Sequence, residues 1–378
     1  MMFDVDKFDG AIVAWITPDN PSTLPQISIK TPDGAQIDLE SNELRLDVKA
    51  AGVHHTGQVG FKITRKTVPE LRSFDDLEIR DSHTGILIHR DYKPDHHVPH
   101  RVLRFEMQAM PHAATEAAWN DAFQLYYGGI ERFPYETMFG LLNNPRAQSL
   151  AVSGRLNISR YEHVLKQWQY KIVALLRDPY EELAERLLFV RYAMQANNAD
   201  RFRQYLSGLD NYGIVARRID FGNPATLNEA FAQLNDRQMD EIANPLTRSL
   251  ACGIDEIPRT EHVEFALAKL AGMSVVGIRT QYSSFRSSLQ TLLGADLAPE
   301  KAPATVSAAQ ALVDELKQLK MARALVSLDV KLFGFVETAL RRALENPDLG
   351  FDLDALPEET GPATSDNRDA HEHESAIR

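Results

Sequence analysis

The chain has 378 residues, 44% of them hydrophobic and 25% charged. That is enough for a sizeable core and for more than one domain, since a single core rarely grows past about 250–300 residues. The formal charge of -12 speaks against non-specific nucleic-acid binding, no run of about 18 apolar residues could cross a membrane, and a single cysteine, Cys252, excludes a disulfide framework and a multi-cysteine zinc site.

Met1 to Gly10 carries three aspartates and no basic-then-apolar pattern, so a cytoplasmic location without a secretory signal is expected. From Ala11 to about Tyr92 the text reads as short strands: Ala11–Ile16, Gln26–Lys30, an alternation at Leu44, Leu46 and Val48, then Val59 to Ile63, Leu77 with Ile79, and Ile86 with Ile88. Turn residues separate them at Pro18 to Pro21, Pro32-Asp33-Gly34, Ala51-Gly52 and His83-Thr84-Gly85. Period-two alternation broken every ten or so residues predicts a β-sandwich. Tyr92 to Pro99 reads as a linker. Its neighbourhood holds His89, His96, His97 and His100, which suit a solvated polar segment better than a metal site, because zinc needs ligands fixed in a closed shell. No metal is expected.

Beyond the linker, strands alternate with helices, which predicts a parallel sheet. The predicted elements are a strand at Arg101–Ala109, a helix at Glu116–Tyr127, a strand at Lys171–Leu176 and a helix from Pro179 through Met194. They continue with a helix at Glu261–Ala271, a strand at Ser274–Ile278 and strongly helical text from Val306 to Asn346. Trp119, Phe123 and Tyr126 at helical spacing suit a core better than an acceptor platform. Residues Glu358 to Arg378 are acidic and lack aromatics, which predicts a disordered tail.

The segment Ala14-Trp15-Ile16-Thr17-Pro18-Asp19-Asn20-Pro21, with Arg45 to Val53 and Gly57 to Phe61, is similar to an accessory β-sandwich module of bacterial surface-glycan enzymes. The longer second part resembles the bacterial carbohydrate sulfotransferases, over about Arg101 to Ala343. Lys171-Ile172-Val173-Ala174-Leu175-Leu176-Arg177-Asp178-Pro179 matches that family's strand ending in Arg-Asp-Pro and opening a helix. Met110-Pro111-His112-Ala113-Ala114-Thr115 stands at its phosphate loop, and Ser153-Gly154-Arg155 near its acceptor. Asn244-Pro245-Leu246-Thr247-Arg248 resembles its Asn-x-x-Thr-Arg, with Asp210-Asn211 a weaker candidate; Val275-Val276-Gly277-Ile278 and Ser327-Leu328-Asp329 to Leu332 come after it in the family's order.

The resemblance implies an α/β fold: a parallel-sheet, P-loop-like sulfotransferase core preceded by an all-β sandwich domain. The expected division is a β-sandwich module at 1–92, a linker at 93–100, an α/β domain at 101–348 and an acidic tail at 349–378. It also implies 3′-phosphoadenosine 5′-phosphosulfate as donor and a glycan acceptor, with surface-polysaccharide assembly proteins as partners. Pro111, Thr115, Arg177, Glu185 and Arg248 would lie at the nucleotide, and His112, Arg155 and His163 at the chemistry. Arg177 would hold the 3′-phosphate and His112 would neutralise the leaving phosphate.

Three departures bear on that. The family's loop lysine is replaced by His112, a weaker cation near neutrality because imidazole has an unperturbed pKa of about 6.5. Its phosphate-binding serine, about eight residues after the arginine, is replaced by Glu185, whose carboxylate repels phosphate. Its acceptor-side histidine is replaced by Arg155, which leaves His163 and Glu162 as nearby bases or as ordinary exposed helix residues. Asp178-Pro179 is also an ordinary helix start. No Walker sequence Gly-x-x-x-x-Gly-Lys-Ser/Thr occurs. Two functions remain open: sulfuryl transfer to a sugar hydroxyl of a surface polysaccharide, or a non-catalytic scaffold of the same fold that binds a glycan or a protein.

Overall fold

The computed structural model describes residues 1–8, 10–110, 112–195, 202, 205–221, 223, 225–303 and 307–345. Pro111 and the predicted tail lie outside them. The chain divides into two compact units, Met1–Glu337 and Thr338–Arg378; in the second, residues 338–345 are helical.

The first unit begins with eight strands: β1 (Met2–Phe8), β2 (Ala11–Thr17), β3 (Gln26–Lys30), β4 (Gln36–Glu40), β5 (Glu43–Leu44), β6 (Gln58–Thr64), β7 (Glu78–Asp81) and β8 (Leu87–Arg90). They form two four-stranded antiparallel sheets, ordered β1-β2-β6-β5 and β4-β3-β7-β8. Alternate side chains are buried, as in Ile12, Ala14 and Ile16 of β2 and Val59, Phe61 and Ile63 of β6, the pattern of strands with one face in a core. The alternation at Leu44, Leu46 and Val48 is a two-residue strand followed by a short helix, α1 (Leu46–Ala50), in which Val48 is buried and Leu44 and Leu46 are exposed.

Between Tyr92 and His100, Lys93 to His96 and Pro99 are exposed, while two residues are tied down. His97 and Val98 are buried, the His97 Nδ1 accepts the Lys93 N–H at 2.9 Å, and the Val98 N–H donates to the Ala122 carbonyl at 2.8 Å. The exposed residues fit the solvated segment expected from composition, and His97 and Val98 depart from it. The Arg90 guanidinium reaches the Asn120 and Phe123 carbonyls, and the Tyr127 hydroxyl donates to the Leu87 carbonyl, so β8 is hydrogen-bonded to residues 120–127 on the far side of this segment.

Five parallel strands come next: β9 (Arg101–Phe105), β10 (Leu125–Gly128), β11 (Leu150–Gly154), β12 (Lys171–Leu176) and β13 (Val275–Ile278), in the order β10-β11-β9-β12-β13. The helices are α2 (Ala113–Ala122), α3 (Tyr135–Leu142), α4 (Ile158–Gln167), α5 (Pro179–Gln195), α6 (Asp210–Ala216), α7 (Ala225–Phe231) and α8 (Asp236–Ile242). They continue as α9 (Pro245–Ala251), α10 (His262–Ala271), α11 (Tyr282–Leu293), α12 (Ser307–Gln318), α13 (Lys320–Leu325) and α14 (Ser327–Glu345). The expected strand through Ala109 stops at Phe105, and the expected helix to Tyr127 stops at Ala122, where β10 begins three residues later.

Two cores hold these layers. Val102, Trp119, Phe123, Tyr126, Val173, Val275, Tyr282, Phe285 and Leu289 join α2 and α11 to the sheet. Trp119, Phe123 and Tyr126 are therefore core residues. Leu183, Leu187, Val190, Val215, Phe231, Leu312 and Leu316 join α5, α6, α7 and α12. Gly277 lets α11 approach β13: a Cβ there would lie 2.6 Å from the Phe285 Cβ.

Candidate functional site

The chain leaves β9 for β10 and β11 on one side and returns to β12 and β13 on the other. The gap between β9 and β12 is thus the point where strand order reverses, and ligands of open α/β sheets bind beyond the carboxyl ends of the strands there. A cleft lies at this place. The first residue after each of three neighbouring strands lines it and is charged: Glu106 after β9, Arg177 after β12 and Arg279 after β13. Trp119, Tyr282, Phe285, Leu289, Leu297 and Pro299 make the apolar wall.

The structure brings His112, Thr115 and Arg177 together in this cleft. His112 precedes the first turn of α2, and Thr115 lies within that turn. Burial, then the nearby Arg177, pull the His112 imidazole below its ordinary value, so the ring is neutral near pH 7.

Arg177 is held by its own chain. Its Nη1 and Nη2 donate to the two oxygens of Glu185, each at 2.6 Å, a bidentate pair with side chains 6% and 9% exposed. Glu185 lies two turns into α5, close to two full turns from the end of β12, which returns it to the face that meets Arg177. Burial opposes the Arg177 charge, but Glu185, Glu182 and Glu181 outweigh it and hold the guanidinium above its ordinary range. Asp178 caps α5 by accepting the Tyr180 N–H at 2.8 Å and the Glu181 N–H at 3.3 Å, with Pro179 at the first helical position, so the helix-start reading of Asp178-Pro179 holds.

Other charges in the cleft are matched in the same way. Arg104, in the middle of β9, pairs with Glu106 at 2.9 Å and with Glu116 of α2, donates to the Ser153 hydroxyl at 2.9 Å and stacks over Trp119. Arg279 pairs with Glu181 at 2.7 Å. Glu182 lines both this cleft and an adjoining cavity, and its Oε2 has no hydrogen-bond partner. Burial pushes both Glu106 and Glu182 above the usual carboxylate range, against the pull of Arg104 and Arg177 respectively.

The remaining expected site residues lie elsewhere. Arg155 pairs with Glu131 at 3.2 Å and donates to the carbonyls of Gln108, Tyr205 and Ser207, which makes it a tie for the loop after β9. The preceding Gly154 has φ +142°, and a Cβ there would lie 2.9 Å from the Ile130 nitrogen, so glycine is required. Arg186 does similar work, donating to the Met107 carbonyl at 2.7 Å and to Tyr212. His163 is exposed on α4 and stacks on Phe139, outside the cleft, and Glu162 beside it pairs with Lys166 and Lys269. Arg248 donates to the Asp240 and Glu256 carbonyls and does not line the cleft. Its motif is structural: Asp329 accepts the Leu246 and Thr247 N–H groups and the Thr247 hydroxyl, while the Asn244 side chain accepts the Leu328 N–H.

Among the described residues one thiol, one carboxylate and one imidazole converge: Cys252, Glu256 and His262 place ligand atoms within 4.8 Å of one another. The His262 Nδ1 accepts the Arg259 N–H at 2.8 Å, which puts the ring proton on Nε2, facing Glu256 at 3.0 Å. The ring thus offers no lone pair there, and burial pushes the Cys252 thiol up to about 11. No helix among the described residues is long and apolar enough to cross a membrane.

Sequence reasoning passed over Arg104, Glu106 and Glu182. Arg104 and Glu106 were visible as two charges spaced two apart at the end of the apolar run Val102 to Met107. Comparison with protein-family models and with curated proteins finds no match for this chain.

Proposed function

We propose that the chain is a sulfotransferase-like protein that serves as a binding scaffold for a glycan or a protein partner and does not transfer sulfuryl groups. The bidentate contact between Arg177 and Glu185 carries this reading. The resemblance assigns Arg177 to a 3′-phosphate, and a carboxylate on the same chain already occupies both ends of its fork in the geometry a phosphate would use. The residues present do not fit 3′-phosphoadenosine 5′-phosphosulfate. A donor carrying several negative charges would meet Glu185 and Glu182 at Arg177, a neutral His112 where a cation is needed, and an Arg104 already engaged by two carboxylates.

The transferase reading keeps one observation in its favour: His112, Thr115 and Arg177 share one cleft at the strand-order reversal. Calorimetry with adenosine 3′,5′-bisphosphate separates the two. The scaffold reading expects no measurable binding by the native protein and binding gained at least tenfold, about 1.4 kcal/mol, in the double variant Glu185→Ser, His112→Lys. Tight binding by the native protein, unchanged by Glu185→Ser, would establish a working nucleotide site and defeat the proposal.

A further inference from the structure

The cleft holds more acid than base. Arg104, Arg177 and Arg279 are its guanidiniums among the described residues. Against them stand Glu106 and Glu182 in the lining, and Glu116, Glu185 and Glu181 as their ion-pair partners. With Arg186 counted as the partner of Glu182, five carboxylates face four guanidiniums, and burial pulls the His112 imidazole below its ordinary value. Electrostatic complementarity therefore disfavours an anion in this space.

Glu182 locates the excess. It is 8% exposed, and its Oε2 makes no hydrogen bond. The neighbouring guanidiniums direct their strong donors elsewhere: the Arg177 terminal nitrogens to Glu185, and those of Arg186 to Tyr212 and the Met107 carbonyl. Their distances to Glu182, 3.7 Å from Arg177 Nε and 4.0 Å from Arg186 Nη2, are too long for hydrogen bonds. A buried carboxylate oxygen without a donor is costly, and a ligand donor relieves that cost. The lining also includes Tyr282, Phe285 and Leu289, and aromatic rings attract cations as well as apolar bodies.

We propose that this cleft takes an organic monocation, an ammonium group on a flat apolar body, with the ammonium at Glu182 and the body against Tyr282, Phe285 and Leu289. The proposal rests on the scaffold reading in one respect, that the cleft is closed to the nucleotide bisphosphate. A ligand of this class places an N–H donor beside Glu182, whose Oε2 has no internal donor, and offsets the surplus negative charge.

Three probes of one shape and different charge test it: tryptamine, a cation at pH 7; tryptophol, neutral; and indole-3-acetate, an anion. Calorimetry on the full chain is expected to give tryptamine at least tenfold tighter than tryptophol, with indole-3-acetate weakest. Glu182→Gln should remove the preference for tryptamine, and Leu289→Trp, which fills the apolar end, should weaken tryptamine and tryptophol alike. Each variant is checked by its melting curve, and the native series decides the charge preference by itself if a variant does not fold. Equal or tighter binding of indole-3-acetate, no binding of any probe, or an undiminished preference in folded Glu182→Gln overturns the proposal. Adenosine 3′,5′-bisphosphate is titrated alongside: its tight binding defeats the scaffold reading, whereas failure of the indole series with the bisphosphate still excluded defeats this inference alone.

Discussion

Replacing Arg177 by Met isolates the energetics of the cleft. The guanidinium makes two 2.6 Å contacts to Glu185 with both side chains at least nine-tenths buried, so its removal strands a carboxylate in a low-dielectric site. Breaking a buried pair from one side typically costs about 3–5 kcal/mol. Glu185→Leu strands Arg177 instead, with Glu182 at 3.7 Å as partial compensation, so its cost belongs near the lower end, about 3 kcal/mol. The double variant strands neither. Apolar replacement of a whole buried pair ranges from neutral to stabilising by about 1–4 kcal/mol, so the cycle should show a coupling energy of about 6 kcal/mol or more. Urea unfolding at pH 7, followed by far-UV circular dichroism, measures all four proteins, with a common m-value as the condition for comparing them. Single variants that each lose less than about 1 kcal/mol, or a double variant whose loss equals the two singles together, would refute the account of a dry, tightly coupled pair.

Three further outcomes are expected from other parts of the fold. Gly277→Ala puts a methyl against Phe285 and should destabilise by about 1–3 kcal/mol while shifting α11, visible as changed near-UV dichroism of Tyr282; an unchanged melting temperature would contradict the close approach of β13 and α11. Asp329→Ala orphans the Leu246 and Thr247 N–H groups and the Thr247 hydroxyl and should lose about 2–4 kcal/mol in urea, and a loss under about 1 would mean that water replaces the cap. His97 is pushed down to about 4, first by burial and then by His96 and Arg90. The unfolded ring takes up its proton near 6.5 and the folded ring not until about 4, so stability is present above pH 6.5 and is lost as pH falls through that window. His97→Gln should flatten that part of the stability profile, and an identical acid slope in the variant would remove His97 as its cause.

The sequence made most of the strands legible because alternation and turn residues are local signals. Ile27 and Ile29, Val59 to Ile63 and Lys171 to Leu176 all carry their strand pattern within a few residues. Where the pattern failed, a non-local partner decided. Leu125–Gly128 continues an apolar helical text, yet it is a strand because it lies beside Leu150–Gly154, which is itself too short and too small in its side chains to stand out. Leu46 and Val48 alternate with polar residues as a strand would, yet the backbone hydrogen bonds of Arg45 to Lys49 and Asp47 to Ala51 close a helical turn. The candidate site was half legible. Arg177 and Glu185 were both picked out, as a phosphate ligand and as its antagonist, but their direct contact depends on how α5 leaves β12. Arg155 and Arg248 read as ligand residues because a sequence shows charge without showing the carbonyls that satisfy it.

That contact also explains how one residue can serve stability and exclude a ligand. Arg177 stands at the carboxyl end of a central strand, where the sheet and α5 bury it whatever the cleft contains. A protein that bound phosphate there would have its guanidinium neutralised by the ligand and would be left with an unpaired buried cation between binding events. With Glu185 eight residues on, the cation is neutralised permanently, and the carboxylate is placed by the same helix that buries the arginine. Removing Glu185 to open the site therefore exposes the fold to the cost of a guanidinium that has lost its bidentate partner. Phosphate affinity gained in Glu185→Ser should come with lower stability without ligand, partly restored when adenosine 3′,5′-bisphosphate is added in excess of its dissociation constant. A Glu185→Ser variant that gains affinity with no loss of stability would mean that Arg177 finds a second internal carboxylate, and Glu182, already within 3.7 Å, is the residue that would supply it.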